Sequence, residues 1–152
     1  MIKKIMLTLG ATALLVTPGF AATSHPAEDG WGRNSAYNKK FDPKTVTTVS
    51  GTVESVNRDS HPLPGMTSGF SMMLKTDKGK NLEIQLGPKW FTDFYHHKWD
   101  IKPGDKFSGT GSIVMIGGHK VMMGMQGRKG DLQATIRNKR GTPIWDLEMS
   151  DF

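Results

Sequence analysis

Residues 80–116 read KNLEIQLGPKWFTDFYHHKWDIKPGDKFSGTGSIVMI. Leu82, Ile84 and Leu86 alternate with polar residues, the period of a half-buried strand. Gly87-Pro88 ends that strand, and Pro88 suits the first turn of a helix, where a missing N–H costs nothing. An aromatic segment follows, in which Trp90/Phe94 and Phe91/Tyr95 are i,i+4 pairs, so it predicts a helix of two to three turns that plugs a core. Lys102-Pro103-Gly104-Asp105 is a turn. From it a strand runs over 106–116 with Phe107, Gly109, Gly111, Ile113 and Met115 on one face. Two glycines on that face predict tight curvature.

The rest of the chain is strand-like. Residues 45–56 are rich in Val and Thr. Val49, Gly51 and Val53 alternate before the apolar phase slips to Val56, which predicts a bend or bulge. Residues 57–69 form a loop with two prolines and two glycines. Phe70, Met72, Leu74 and Thr76 make the inward face of a second strand, and Asp77-Lys78-Gly79-Lys80 is a hairpin turn. Beyond Gly117-Gly118, residues 120–128 form a fifth strand with Val121, Met123 and Met125 inward. A C-terminal hairpin follows, with Leu132, Ala134 and Ile136 on one arm and residues 144–147 on the other. Three strands, a short helix, then two strands is the order of an OB-fold. The expected class is all-β: a five-stranded OB-fold-like Greek-key barrel, a short helix between strands 3 and 4, and an extra C-terminal hairpin.

The N-terminus has the layout of an export signal. Lys3 and Lys4 precede an apolar run from Ile5 to Val16, then Pro18-Gly19, with small residues at Gly19 and Ala21. Cleavage is expected near Ala21, which makes the product periplasmic or secreted. The run is too short to span a bilayer, which takes about 20 apolar residues, so no membrane span is expected after cleavage. Residues 22–44 read as an extended arm whose large apolar groups, Trp31, Tyr37 and Phe41, would pin it across the barrel. Residues 45–152 would be the barrel with its hairpin. The formal charge of +6 falls to +4 once Lys3 and Lys4 are removed, a mildly basic balance that permits acidic partners without demanding nucleic acid. The chain has no cysteine, which excludes disulfides, thiolate metal sites and cysteine nucleophiles.

Several stretches resemble small secreted bacterial OB-fold proteins of the BOF-like type: Phe41-Asp42-Pro43-Lys44-Thr45-Val46, Val49-Ser50-Gly51, Leu74-Lys75-Thr76-Asp77, Leu86-Gly87-Pro88 with Trp90, Lys102-Pro103-Gly104-Asp105, and the tail from Arg137-Asn138 to Trp145. Such proteins are mostly uncharacterised and sometimes labelled DNA-binding. The resemblance implies fold and export. A weaker outline similarity is to the periplasmic OB-fold copper chaperone, but the His…Trp-x-x-Met-x-Met arrangement is absent here and no ligand carries over.

No nucleophile-elbow, phosphate-loop or His-Glu-x-x-His motif is present, so no enzyme and no catalytic residue are expected. His96 and His97, beside Asp93, suit a helix C-terminus through its dipole alone. The expected function is a non-enzymatic exported module that binds a small ligand or another exported protein. Its contact surfaces would be the barrel face, the 57–69 loop, the Gly117-Gly118 turn and the arm.

Two alternatives stand beside it. Methionine and histidine are the soft ligands available for Cu(I), and residues 119–125 hold His119, Met122, Met123 and Met125. Strand alternation puts Met123 and Met125 inward and leaves Met122 and Met73 outward, with His119 on the turn, so these three are the candidate copper ligands. No cofactor is required by any other feature. The second alternative is a polyanion or single-stranded nucleic acid along the basic group Arg128, Lys129, Arg137, Lys139 and Arg140. Nucleic acid is the less expected partner in a periplasm, and outward aromatics for base stacking are scarce.

Overall fold

A computed structural model describes residues 29–93 and 100–151. The signal segment and the residues Phe94, Tyr95, His96, His97 and Trp99 lie outside the described residues. The described chain is all-β. Its strands are β1 (Val46–Ser60), β2 (Gly69–Thr76), β3 (Asn81–Pro88), β4 (Lys106–Ile116), β5 (His119–Lys129) and β6 (Leu132–Thr135), with a one-turn helix α1 (Lys89–Thr92) after β3. Pro88 occupies the cap of α1 in extended conformation, so it ends the strand rather than opening the first turn.

The strands pair in the order β3-β2-β1-β4-β5-β6, and β3 also pairs with β5 in parallel. That pairing closes β1, β2, β3, β5 and β4 into a ring. Six strands are present where five and a hairpin were expected. β1 serves two partners: its first half pairs with β4 and its second with β2, the two overlapping at Gly51 and Thr52. Gly51 marks this corner because a Cβ there would collide with the Lys75 carbonyl. A register shift follows between Val53 and Ser55, where the sequence shows its phase slip.

The C-terminal hairpin forms on one side only. β6 pairs with β5, but the expected return strand is a 3-10 turn, Ile144–Asp146, preceded by an isolated bridge from Arg137 to Pro143 in place of a ladder. Trp145 accounts for the departure. It turns inward, its Nε1 donates to the Trp31 carbonyl at 2.8 Å, and its ring lies 4.9 Å from that of Phe91.

Two apolar clusters sit on opposite sides of the barrel wall. Inside the ring are Val53, Phe70, Met72, Leu74, Ile84, Leu86, Phe107 and Met122. Between the outer wall and the arm are Trp31, Tyr37, Met66, Ile116, Val121 and Met123. The phase expected for β5 is therefore reversed: Met122 faces the interior, while Val121 and Met123 face the arm. Alternation cannot assign the inner face of a strand that is buried on both sides. Met125 lies half-buried at the β4–β5 register shift, where its carbonyl accepts from the N–H groups of both Ile136 and Arg137.

Candidate functional site

The three residues expected to meet around copper do not share a face. Met122 is fully buried in the ring, where a Cβ on Gly109 would sit 3.5 Å from its sulfur. Met73 lies on β2 between Met72 and Leu74, both interior, so it points outward, and it pairs with Glu83. His119 is exposed, its Nε2 3.3 Å from Glu83 Oε1. The barrel wall separates Met122 from the other two. The basic group of the last third disperses as well. Arg137 is buried, Lys129 pairs with Asp105 at 2.9 Å, and Arg140 pairs with Asp151 at 3.2 Å. Of that group, Arg128 lies on the surface described below.

The arm closes one half of the outer wall. Trp31 and Tyr37 are 1% exposed, as pinning requires, and their rings meet edge-on at 5.1 Å. Trp31 Nε1 donates to Thr67 O, and Tyr37 OH donates to Gln85 Oε1 at 2.7 Å. Burial pushes the Tyr37 phenol up to about 12, against the opposing pull of Arg137, so it remains a neutral donor. Asn38 Nδ2 donates to the carbonyls of Trp31 and Gly32. Arg137 locks arm to tail: its guanidinium donates to Asn38 Oδ1 and Gly141 O and lies within 6 Å of the rings of Tyr37, Phe41 and Trp145. Burial holds its pKa below the usual guanidinium value, and its Nε has no hydrogen-bond partner among the described residues. Arg33 completes the lock with a two-pronged pair to Asp151.

The other half of the wall is bare and polar. Across it the side chains align through the strand register: Thr48, Thr110, Gln126 and Thr135 in one row, Ser50, Ser108, Arg128 and Gln133 in the next. Thr48 and Thr110 hydroxyls are 2.7 Å apart, Ser50 donates to Ser108, and Arg128 donates to Gln133.

At one end the rows run into a cleft of about 450 Å³ at the mouth of the ring, within the size range of small-ligand sites. Its floor is Val49 and Leu82. Its walls carry hydroxyls from β1 and three cations, Lys78 and Lys80 from the β2–β3 turn and Lys120 from β5. With Lys106 and Arg128 beside it, the surface holds, among the described residues, five cations against one carboxylate, Asp77. None of the five is ion-paired within the described residues, in contrast to Arg33, Arg58, Lys89, Lys102, Lys129 and Arg140. Among the described residues, no aromatic ring other than the buried Phe107 lines it. Such an arrangement can hold anions by charge and by hydrogen bonds.

The sequence reading missed the three lysines. Lys78 and Lys80 look like ordinary turn residues, and Lys120 lies about forty residues further on. Only the parallel β3–β5 pairing brings them to one mouth. The alternation of Thr48, Ser50 and Thr52, matched by Ser108 and Thr110, was the available signal for the bare rows.

The model of the MamS/MamX magnetosome protein family matches residues 45–133, more than half of the chain. The chain belongs to that family. The matched stretch takes in the entire ring, the cleft and nearly all of the bare face, so these features lie in the part the family describes. No curated protein matches the chain with significance.

Proposed function

We propose that the chain is a non-enzymatic, magnetosome-associated binding module on an OB-type barrel, and that it holds an anionic ligand in the cleft at the ring's mouth. The observation that carries this reading is the convergence of Lys78, Lys80 and Lys120, all without carboxylate partners among the described residues, on a hydroxyl-lined cleft. The ring order and a helix between β3 and β4 support the OB assignment. In such barrels the face of strands 2 and 3, between the loops after strands 1 and 4, is the usual ligand surface. Here Ser71 and Gln85 on that face are buried, and Gln85 is bonded to Tyr37 of the arm. Ligand binding at the open cleft accommodates that occupied face. We also propose that the module acts outside the cytoplasm, with residues 1–21 as its export signal.

Titration with polyphosphate at several salt concentrations tests the reading. The protein should bind, with affinity falling as salt rises. Replacing Lys78, Lys80 and Lys120 by Gln should weaken binding and lower the salt slope by about one per lysine. A protein that binds no polyanion at low salt, or a triple variant that binds as the parent does, would refute it.

A further inference from the structure

We infer that the bare face is the track of a linear acidic polysaccharide whose charged groups enter the cleft. The inference rests on the anion-binding reading above and names its ligand class. Four observations carry it.

First, the two rows are regular in spacing. Each crosses four strands at about 4.8 Å per step, roughly 14 Å in all, and the rows are about 7 Å apart along the strands. Regular spacing suits a polymer with a repeat. Second, the rows offer donors and acceptors together. In the Thr48–Thr110 and Ser50–Ser108 pairs each bond uses one hydroxyl proton, leaving the second proton and spare lone pairs of each pair free. Gln126 and Gln133 add amides. A ligand bearing hydroxyls can use both kinds of group, whereas a chain of bare phosphates presents acceptors and no donors. Third, one cation, Arg128, stands within the second row, Lys106 lies beside it, and Lys78, Lys80 and Lys120 stand where the rows reach the cleft. Thr48 and Ser50 line both the rows and the cleft, so one chain can engage the two. Fourth, the face carries no exposed aromatic ring among the described residues. Single-stranded nucleic acids stack their bases on such rings, and neutral sugars gain much of their contact area from them. A charged glycan, held by salt links and hydroxyl bonds, needs neither.

The cross-strand hydrogen bonds also hold the side chains in place before binding. The ordering cost on association is correspondingly smaller.

The test compares three polymers on the full chain: heparin, polyphosphate and neutral dextran. Heparin should bind more tightly than polyphosphate at equal concentration of charge, and dextran should not bind. Thr48→Val with Thr110→Val removes two hydroxyls from exposed strand positions while keeping the β-branched shape. It should weaken heparin binding about tenfold and polyphosphate binding at least threefold less. Arg128→Gln should weaken both polymers. Equal losses for the two polymers in the double valine variant, or no preference for heparin, would overturn the glycan track and leave the anion cleft standing. Failure of both polymers to bind would overturn both. Circular dichroism and urea unfolding of the valine variant separate a binding loss from a folding loss.

Discussion

The outer wall of this barrel has two halves made from the same strands. On β4 the covered half shows Ser112, Val114 and Ile116, the bare half Ser108 and Thr110. On β5 the covered half shows Val121 and Met123, the bare half Gln126 and Arg128. Between them β4 and β5 slip register at Thr110 and Gly111. The slip is the boundary at which an apolar outer face becomes a polar one. An arm bearing Trp31 and Tyr37 seals one side. The lesson is that an element added outside the ring can decide which part of its outer wall stays open.

The largest effect should follow from breaking the seal. Trp31 fills the covered half and is bonded at both its indole N–H and its carbonyl. A Cβ on Gly69 would come within 2.5 Å of its ring, which shows how closely the β2 backbone approaches it. Trp31→Ala should cost about 3–5 kcal/mol in urea unfolding and expose Val121 and Met123 to a dye such as ANS, while polyphosphate affinity of the folded fraction stays unchanged. A loss under about 1 kcal/mol would mean that the two halves are not distinguished by the arm.

Part of this contrast is legible in the sequence and part is not. Gly51 and the phase slip after it announce the corner of β1, and Phe70, Met72 and Leu74 announce the inner face of β2. Each reading works because the opposite side of the strand is mainly polar, with Met73 the one large apolar residue on that side of β2. On β5 that condition fails: Val121, Met122 and Met123 are consecutive and all buried, since arm and ring each supply an apolar surface. Alternation then has two equally good phases, and the wrong one makes Met122 look available to a metal. The cleft is illegible for another reason. Its lysines come from a turn and a distant strand, and no local pattern specifies a parallel pairing between β3 and β5.

Arg137 supplies the second contrast. Cations of the bare half face water unpaired, while this one is 2% exposed among three rings with no carboxylate partner in the described residues. Its hydrogen bonds tie Asn38 of the arm to Gly141 of the tail. Arg137→Ala should cost roughly 3 kcal/mol, through lost packing and two orphaned acceptors. Arg137→Met keeps the volume and removes the desolvation of a buried charge, so it should cost distinctly less. Equal losses in the two variants would show that charge, rather than the space it fills, holds arm to tail.

The smallest effect concerns the loop that clasps the arm, and it is a pH effect. His61 presents Nδ1 to Met66 O and Nε2 to Asp59 Oδ1, both at 2.8 Å. Both partners are acceptors, so both bonds form only when the ring carries two protons. The Met66 carbonyl first, and then Asp59, raise the imidazole above its usual pKa of about 6.5. Ser68 first, and then His61, hold the Asp59 carboxyl below its usual value, so Asp59 stays charged throughout the range that matters. A pKa raised by folding stabilises the protein fully below about 6.5 and stops doing so as pH rises through the folded value. Met66 is part of the covered cluster, Thr67 O accepts from Trp31, and Thr67 N–H donates to Asp29 O. Amide exchange at Thr67, corrected for its intrinsic pH dependence, should therefore accelerate as His61 loses its proton. In His61→Gln, where one donor persists at every pH, the corrected rate should be flat. Matching pH profiles in the two proteins would disconnect His61 from the seal and leave the loop held by its other bonds, those to Asp29 and Trp31 among them.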